Sequence, residues 1–414
     1  MADGGLWRDR NFMLLWSGQT VSEIGSQVTV IALPLVAVVT LRAGAFEVGV
    51  LTAASWAAWL VIGLPAGVWV DRVRRRPLLI LADLGRALAL ATVPAAWAAH
   101  LLTIPHLVVV ALVTGLLTVL FDVAYPVYLP AIASRERLVD ANGKMQASAS
   151  VAMVGGPGLG GLLVQLLGAP VALLTDVASF VVSALTLIRI RSVEQVTAAP
   201  EESGFARELR QGVRYVLTHP LPRTLALGGA IANFALGGYN AVLVVFLVRE
   251  VGLPGGLVGL MFGIASVGGL IGALLAGRIA DRYGNAVIII ATPLLGAVAG
   301  LLIPLTGAGS RLIWYFVGAA LLSAGVAVHN VCARSAVQIC TPPELLGRAG
   351  ASIRLFSRGA LPVGALTAGA VASVATARLT IVMLMVLLSV AAVVVRLSPL
   401  GQVRRVEELA PATA

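Results

Sequence analysis

From about residue 12 to residue 397 the chain is an almost unbroken series of apolar runs separated by short polar breaks. About 20 mostly apolar residues are needed to cross a bilayer as a helix. The runs at roughly 12–41, 46–70, 77–99, 105–131, 141–168, 169–191, 222–248, 254–280, 286–306, 310–338, 345–374 and 377–397 therefore give about twelve spans. Hydrophobic residues are 59% of the sequence and charged residues 12%, against roughly 25% charged in an ordinary soluble protein. These values predict an all-α, polytopic membrane protein with no soluble domain. The first span follows Leu6-Trp7-Arg8-Asp9-Arg10 and lacks a small-residue cleavage pattern before the next polar loop, so it reads as a retained span rather than a signal peptide.

A polar loop is repeated. Gly67-Val-Trp-Val-Asp71-Arg72-Val-Arg74-Arg75-Arg76 has a near twin in Gly277-Arg-Ile-Ala-Asp281-Arg282-Tyr-Gly284, with Asp71 and Asp281 210 residues apart. At the same offset Val48-Gly49 falls on Val258-Gly259, so the match covers about a helix-length of chain as well as its loop. The expected organisation is two pseudo-symmetric six-helix halves, 1–191 and 222–397, with a linker over 192–221 and a tail over 398–414. In the linker, Pro200, Glu201 and Glu202 precede Phe205, Leu209, Val213 and Val216 at helical spacing, with Arg207, Arg210 and Arg214 between them. That pattern predicts a flexible stretch followed by an amphipathic helix lying on the membrane surface.

Orientation follows from the arginines, because cytoplasmic loops retain basic residues. When the spans alternate, Arg72, Arg74, Arg75, Arg76, Arg135, Arg137, Arg189, Arg191, Arg207, Arg210, Arg214, Arg282, Arg348, Arg404 and Arg405 share one side; the other collects Arg42, Arg249, Arg311 and Arg378. Both termini are expected to be cytoplasmic. The net charge of +10 is then accounted for by short loops beside anionic lipid headgroups, and no nucleic-acid partner is implied. Cys332 and Cys340 lie eight residues apart on the tenth span, roughly 12 Å along a helix and too far for a disulfide.

Two six-span halves, a cytoplasmic linker, and a Gly-x-x-x-Asp-Arg loop between the second and third spans of each half resemble the major facilitator superfamily of secondary transporters. The resemblance covers nearly the whole chain and implies substrate binding near the midplane between the halves, with rocking of one half against the other. It also implies that Asp71 latches onto the cytoplasmic start of the eleventh span, around Leu345 to Ser352, and Asp281 onto the start of the fifth, around Ala141 to Lys144. A carboxylate can accept from exposed N–H groups at a helix N-terminus and meet its positive dipole end; a basic loop that only fixes topology is the competing reading. The copies depart from the family pattern in opposite ways: the first has Arg74 where glycine is usual but keeps Arg75-Arg76, while the second keeps Gly284 but has Asn285-Ala286 in place of the pair.

Gly155-Gly156-Pro157-Gly158-Leu159-Gly160-Gly161 in the fifth span looks like the Gly-Pro-x-x-Gly-Gly signature of the superfamily's exporters, notably its drug/proton antiporters. Proline kinks a span and glycines allow close backbone approach. The small-residue face Gly259, Gly263, Gly268, Gly269 and Gly272 in the eighth span is its expected partner; packing without directional meaning is the alternative. Asp83-Leu-Gly-Arg86, Tyr125-Pro126-Val-Tyr128-Leu-Pro130, Leu138 to Asn142 and Asp176-Val-Ala-Ser179-Phe180 are similar to the branch containing the enterobactin exporter and macrolide-efflux-type proteins.

An ionisable group in a span costs about 2.5–3.5 kcal/mol on insertion scales and so marks a partner, a water-filled cavity or a function. Gln19, Glu23, Ser26 and Gln27 draw one polar stripe down the first span. Glu23 is the first candidate for proton coupling or cation binding, a structural hydrogen bond being the alternative. Asp122, deep in the fourth span, is the second candidate, a salt bridge within its half being as good a reading. Asp83 and Arg86, spaced i, i+3, are expected to pair structurally, and Asp176 is read as structural. Arg334 beside His329 and Asn330 in the tenth span is suited to neutralising a carboxylate or binding an anionic substrate, while Arg354 and Arg358 in the eleventh either join it or snorkel to headgroups. No nucleotide-binding loop, metal-ligand spacing or catalytic set is present in the sequence, so neither enzyme chemistry nor a cofactor is expected.

The expected function is export of a small amphipathic or hydrophobic molecule (a drug, antibiotic, siderophore or other metabolite) across a bacterial inner membrane by proton antiport, with the lipid bilayer as surroundings and a monomer as the unit. A proton-coupled importer shares the fold and both loops, and a transport-inactive scaffold or sensor is the alternative of another class.

Overall fold

The structure, a computed structural model, describes residues 6–63, 65–133, 137–191 and 205–409. Its helices are α1 (Arg10–Leu35), α2 (Ala45–Ile62), α3 (Pro65–Arg72), α4 (Arg75–Ala98), α5 (Ile104–Tyr128), α6 (Leu138–Leu167), α7 (Ala169–Arg189), α8 (Phe205–Thr218), α9 (Pro220–Val245), α10 (Gly255–Tyr283), α11 (Asn285–Gly300), α12 (Leu312–Cys340), α13 (Pro343–Val374) and α14 (Ala377–Arg396). Among the described residues twelve helical segments are long and apolar enough to cross a membrane, and they match the twelve apolar runs in order. Helix is the form these runs take because hydrocarbon offers no partner for a backbone N–H or C=O.

The second span is shorter than its apolar run. Expected over 46–70, it ends at Ile62, and α3 starts separately at Pro65. Proline has no N–H to donate and disfavours helical geometry in the residue before it, so it interrupts the helix without lowering the hydropathy. Gly63 closes α2 by donating its N–H to the Trp59 carbonyl at 3.2 Å.

The 210-residue offset extends to the backbone. α1 and α9 begin at Arg10 and Pro220, α2 and α10 at Ala45 and Gly255, α4 and α11 at Arg75 and Asn285. Both α1 and α9 run into a five-residue π-helical turn, Val36–Thr40 and Phe246–Glu250. The turns are closed by the same bonds: Leu41 N–H to Val36 and Ala43 N–H to Ala37 in one, Val251 N–H to Phe246 and Leu253 N–H to Leu247 in the other. The second residue after each is left-handed, Arg42 at φ 56° and Gly252 at φ 78°. Beyond α4 and α11 the offset changes, since α5 and α12 start at Ile104 and Leu312 and α7 and α14 at Ala169 and Ala377, both 208 apart.

The chain forms two compact units, Met1–Ala43 with Ala54–Glu201 and Pro254–Gly263, and Gly44–Ala53 with Glu202–Leu253 and Ile264–Ala414. In the first, α1 packs on α6 and α7, and α4 on α5 and α7; in the second, α9 packs on α13 and α14, and α11 on α12 and α14. Phe12, Leu79, Phe121, Tyr128 and Leu187 are buried in one core of the first unit, and Ala286, Ile289, Ala336, Leu400 and Val406 in one of the second.

The flexible stretch expected around Pro200 to Glu202 lies outside the described residues. The helix after it forms as α8, and part of its apolar side is covered by protein. Tyr215 and Val216 bury against Ala226 of α9 and Ala349 of α13, while Arg210 and Arg214 stay exposed. Gly212 makes this possible, because a Cβ there would lie 2.6 Å from the Arg348 carbonyl oxygen. Burial also pushes the Tyr215 phenol above its usual titration range.

Candidate functional site

The polar stripe of α1 divides into two parts. Gln19 Nε2 donates to Glu23 Oε1 at 3.0 Å, and both side chains are half-buried. Two buried polar atoms stand beside or near them without a hydrogen bond, Gln19 Oε1 and the Tyr125 hydroxyl. Glu23 acts electrostatically on Tyr125, whose ring stacks on Phe121 with centroids 6.0 Å apart. A carboxylate with a spare acceptor and a spare hydroxyl around it is equipped to bind a proton or a hydrogen-bonding ligand. Gln27, by contrast, belongs to a helix seam: a Cβ on Gly156 of α6 would lie 2.8 Å from its Cγ. In the sequence Tyr125 stands out only as part of the Tyr125-Pro126 stretch; its proximity to Glu23 joins residues on α1 and α5.

The other ionisable candidates are dispersed. Asp122 is exposed on α5. Arg334 on α12 is exposed and acts electrostatically on Arg354 of α13, so two guanidinium groups of the second unit lie within reach of each other. His329 turns toward α11, its Nδ1 3.3 Å from Thr292 Oγ1. Among the described residues no three His, Cys, Asp or Glu side chains gather as a metal site, and Cys332 and Cys340 are both free thiols.

The two loop copies have different surroundings. Gly67, Asp71 and Arg72 lie on α3, and the placement of the Asp71 and Arg72 side chains falls outside the described residues. Arg75 is buried at the start of α4. Arg76 caps the end of α7, its Nε donating to the Leu187 carbonyl at 2.9 Å and its Nη2 to that of Ile188 at 2.6 Å. A cation on the last carbonyls of a helix satisfies orphan acceptors and meets the negative dipole end. In the second copy Gly277, Asp281 and Arg282 are exposed. Asp281 and Arg282 share a cavity with Arg404, Arg405 and Glu408 of the tail. Gly284, at φ 93°, passes directly under Arg404, and Asn285 Oδ1 accepts from Val406 N–H at 2.8 Å. Asn285, which replaces the first arginine of the basic pair, thus holds the tail where Arg76 holds a helix end.

The glycine-proline stretch of α6 has two working faces. Gly156 and Gly160 meet α1, a Cβ on Gly160 falling 3.1 Å from Val28 Cα, while Gly161 meets the first turns of α10, a Cβ there falling 2.6 Å from the Gly259 backbone. A Cβ on Gly263 would lie 2.9 Å from Gly158 N. Pro157 is buried between these contacts. The same junction recurs in the second unit, where a Cβ on Gly49 of α2 would lie 2.7 Å from the Ala365 carbonyl and 3.1 Å from Gly369 Cα on α13. Gly49 and Gly259 are the glycines of the repeated Val-Gly pairs, and each lets two helix backbones meet where no side chain fits.

Twelve spans built as two repeats, with a glycine seam inside each unit and a half-buried carboxylate on the first helix, define a multi-pass membrane transporter. The chain belongs to the Major Facilitator Superfamily, whose sequence model matches residues 15–365 and 225–411. It is 22% identical over 349 residues to the MFS-type transporter YfiS of Bacillus subtilis (strain 168), covering 83% of this chain and 82% of that one. It is 28% identical over 272 residues to the multidrug efflux pump Tap of Mycolicibacterium fortuitum, covering 63% and 65%. The nucleoside transporter NupG shares the fold with a TM-score of 0.79 at 11% identity, over 93% of this chain and 98% of that one. A bacterial homologue of the iron transporter ferroportin, in its inward-facing state, does so with a TM-score of 0.75 at 17% identity, over 93% and 98%. The protein is accordingly a transporter of small molecules and not an enzyme.

Proposed function

We propose that the protein exports a small amphipathic or hydrophobic molecule across a bacterial inner membrane in exchange for protons, by alternating access of halves 1–191 and 222–397 with both termini cytoplasmic. The observation that carries this reading is the seam of Gly156, Pro157, Gly160 and Gly161, which bears on α1 with one face and on α10 with the other. Movement at that seam is transmitted to the helix that holds Glu23, so a proton on Glu23 and the packing of α6 influence each other. The likeness to a multidrug efflux pump supports export. Asp71 and Asp281 act as latches on the cytoplasmic side, and Gln19 and Tyr125 complete the proton site around Glu23.

The test is efflux from proteoliposomes loaded with a lipophilic dye or drug under an imposed proton gradient. Wild-type protein is expected to empty the vesicles, and Glu23→Gln to lose most gradient-driven efflux while still exchanging substrate across the membrane without a gradient. Equal gradient-driven efflux by both would overturn the assignment.

A further inference from the structure

Behind α1, remote in sequence from Glu23, the first unit contains charges that the reading above does not use. Asp83 and Arg86 of α4 form an ion pair through Asp83 Oδ1 and Arg86 Nη2, with side chains 0% and 5% exposed. Asp176 of α7 is 1% exposed. Its Oδ2 meets Thr29 Oγ1 of α1 at 2.5 Å and its Oδ1 meets the Ser179 hydroxyl at 2.9 Å. Asp83 and Arg86 both act electrostatically on Asp176. Gly25 leaves room for this arrangement, since a Cβ there would lie 2.6 Å from Asp176 Oδ1.

The charges do not balance. Two carboxyl groups face one guanidinium, and the elements packed around them carry few other charges: α5, packed on α4, has His106 in its first turn and Asp122. α4 supplies Asp83 and Arg86, and its only other charges are Arg75 and Arg76 at its first turn; α1 carries only Arg10 at its start and Glu23. α6 has Asp140 and Lys144, paired with each other in its first two turns, and α7 itself ends in Arg189. The π-helical turn Val36–Thr40 has no charge. Arg86 is held by its other contacts, with its guanidinium 4.5 Å from the Phe121 ring, 4.3 Å from the Phe180 ring and Nη1 3.4 Å from Thr118 Oγ1, while its Nε is buried without a hydrogen bond. Among the carboxylate oxygens one is left over: Asp83 Oδ2 is buried without a hydrogen bond of ordinary geometry, although the Ser183 hydroxyl is near. Two buried carboxylates with one counter-ion carry an uncompensated charge in a low-dielectric interior, and a single proton removes it.

We propose that Asp83, Arg86 and Asp176 form a proton-binding site that holds one proton at neutral pH, shared between the two carboxyl groups. The proton resides mainly on Asp176, where Oδ2–H can donate to Thr29 Oγ1 while Oδ1 accepts from Ser179, leaving Asp83 as the charged partner of Arg86. In the unprotonated form the cluster carries one net negative charge, so its protonation is coupled to whatever separates α1, α4 and α7. That coupling to transport rests on the proton-exchange reading of the protein; the occupancy itself does not.

The experiment is infrared spectroscopy of the full chain in lipid vesicles at neutral pH, reading the C=O stretch of a protonated carboxylic acid and its shift in heavy water. The wild type is expected to show the band and Glu23→Gln to keep it. Asp176→Asn and Asp83→Asn should each lose it, because either leaves one carboxylate to balance one guanidinium. Asp176→Asn is isosteric with the protonated form and is expected to fold as the wild type does. A band absent from the wild type, or surviving in either Asn variant when Glu23→Gln is also present, overturns the proposal. If the same vesicles show no gradient-driven efflux with any variant, the antiport reading fails while the band still decides the cluster.

Discussion

The interiors of the two repeats are built on one plan and filled with opposite chemistry. In the first unit α4 brings Asp83 and Arg86, α7 brings Asp176, and α1 brings Thr29. At the offset that relates the two copies, the second unit has Pro293 and Gly296 on α11, Leu384 on α14 and Tyr239 on α9. Pro293, Gly296 and Leu384 are buried. The helix pairs are the same in both units, so packing geometry does not require the charges. Burying two carboxylates and a guanidinium costs more than packing proline, glycine and leucine in the same places, and their presence in one copy alone argues for a task specific to that copy.

The two interiors differ most at Arg86. Arg86→Leu leaves two carboxyls without their cation and two aromatic faces without their partner, and is expected to cost about 3–5 kcal/mol of stability, seen as a large fall in melting temperature of the detergent-solubilised protein. Gly296→Ala, at the equivalent place, puts a Cβ 3.3 Å from Leu322 Cδ1 and should be nearly silent. Comparable losses would mean that the two interiors bear load alike.

At the glycine junctions the two repeats are alike. Gly161→Leu and Gly369→Leu each force a side chain into a backbone contact and are expected to destabilise by about 1–3 kcal/mol, with transport lost in both at matched expression. At the loops a difference returns. Asp71→Asn is expected to slow transport several-fold, and Asp281→Asn less, because the basic residues of the first copy hold α4 and α7 whereas the second copy lies exposed beside the tail; vesicle uptake and efflux rates would show equal or reversed effects if the copies are equivalent. The smallest effect belongs to the left-handed residues after the π-helical turns. Arg42→Gly should stabilise slightly and Gly252→Ala destabilise by about 1–2 kcal/mol, both read as shifts in thermal unfolding.

The spans, their order and the internal repeat were legible because each leaves a periodic or compositional trace. Even the glycine junctions had a trace, since Val48-Gly49 and Val258-Gly259 repeat in sequence before any contact is known. The break at Pro65 was hidden because hydropathy continues through it, and hydropathy does not register a missing N–H. The docking of α8 was hidden for another reason: an amphipathic pattern shows that a face will be covered but not by what, and here Gly212 lets protein rather than lipid cover part of the helix. Asp83 and Arg86 pair at the i, i+3 spacing visible in the sequence. Asp176 joins them from more than ninety residues away, and Thr29 from a third helix, so only the folded chain shows two carboxyls sharing one cation. The tail is a similar case: nothing in Val406 announces that its N–H meets Asn285.

The 210-residue spacing also has a historical consequence. From the start of α1 to the start of α4, and from α9 to α11, the copies have kept the same number of residues while Glu23 and Thr29 in one stand against Asn233 and Tyr239 in the other. Side chains have diverged freely, yet in that stretch no insertion or deletion has survived on balance. A bilayer of fixed thickness judges a segment by its length before its chemistry, and in this chain it has preserved the ruler while the markings were rewritten.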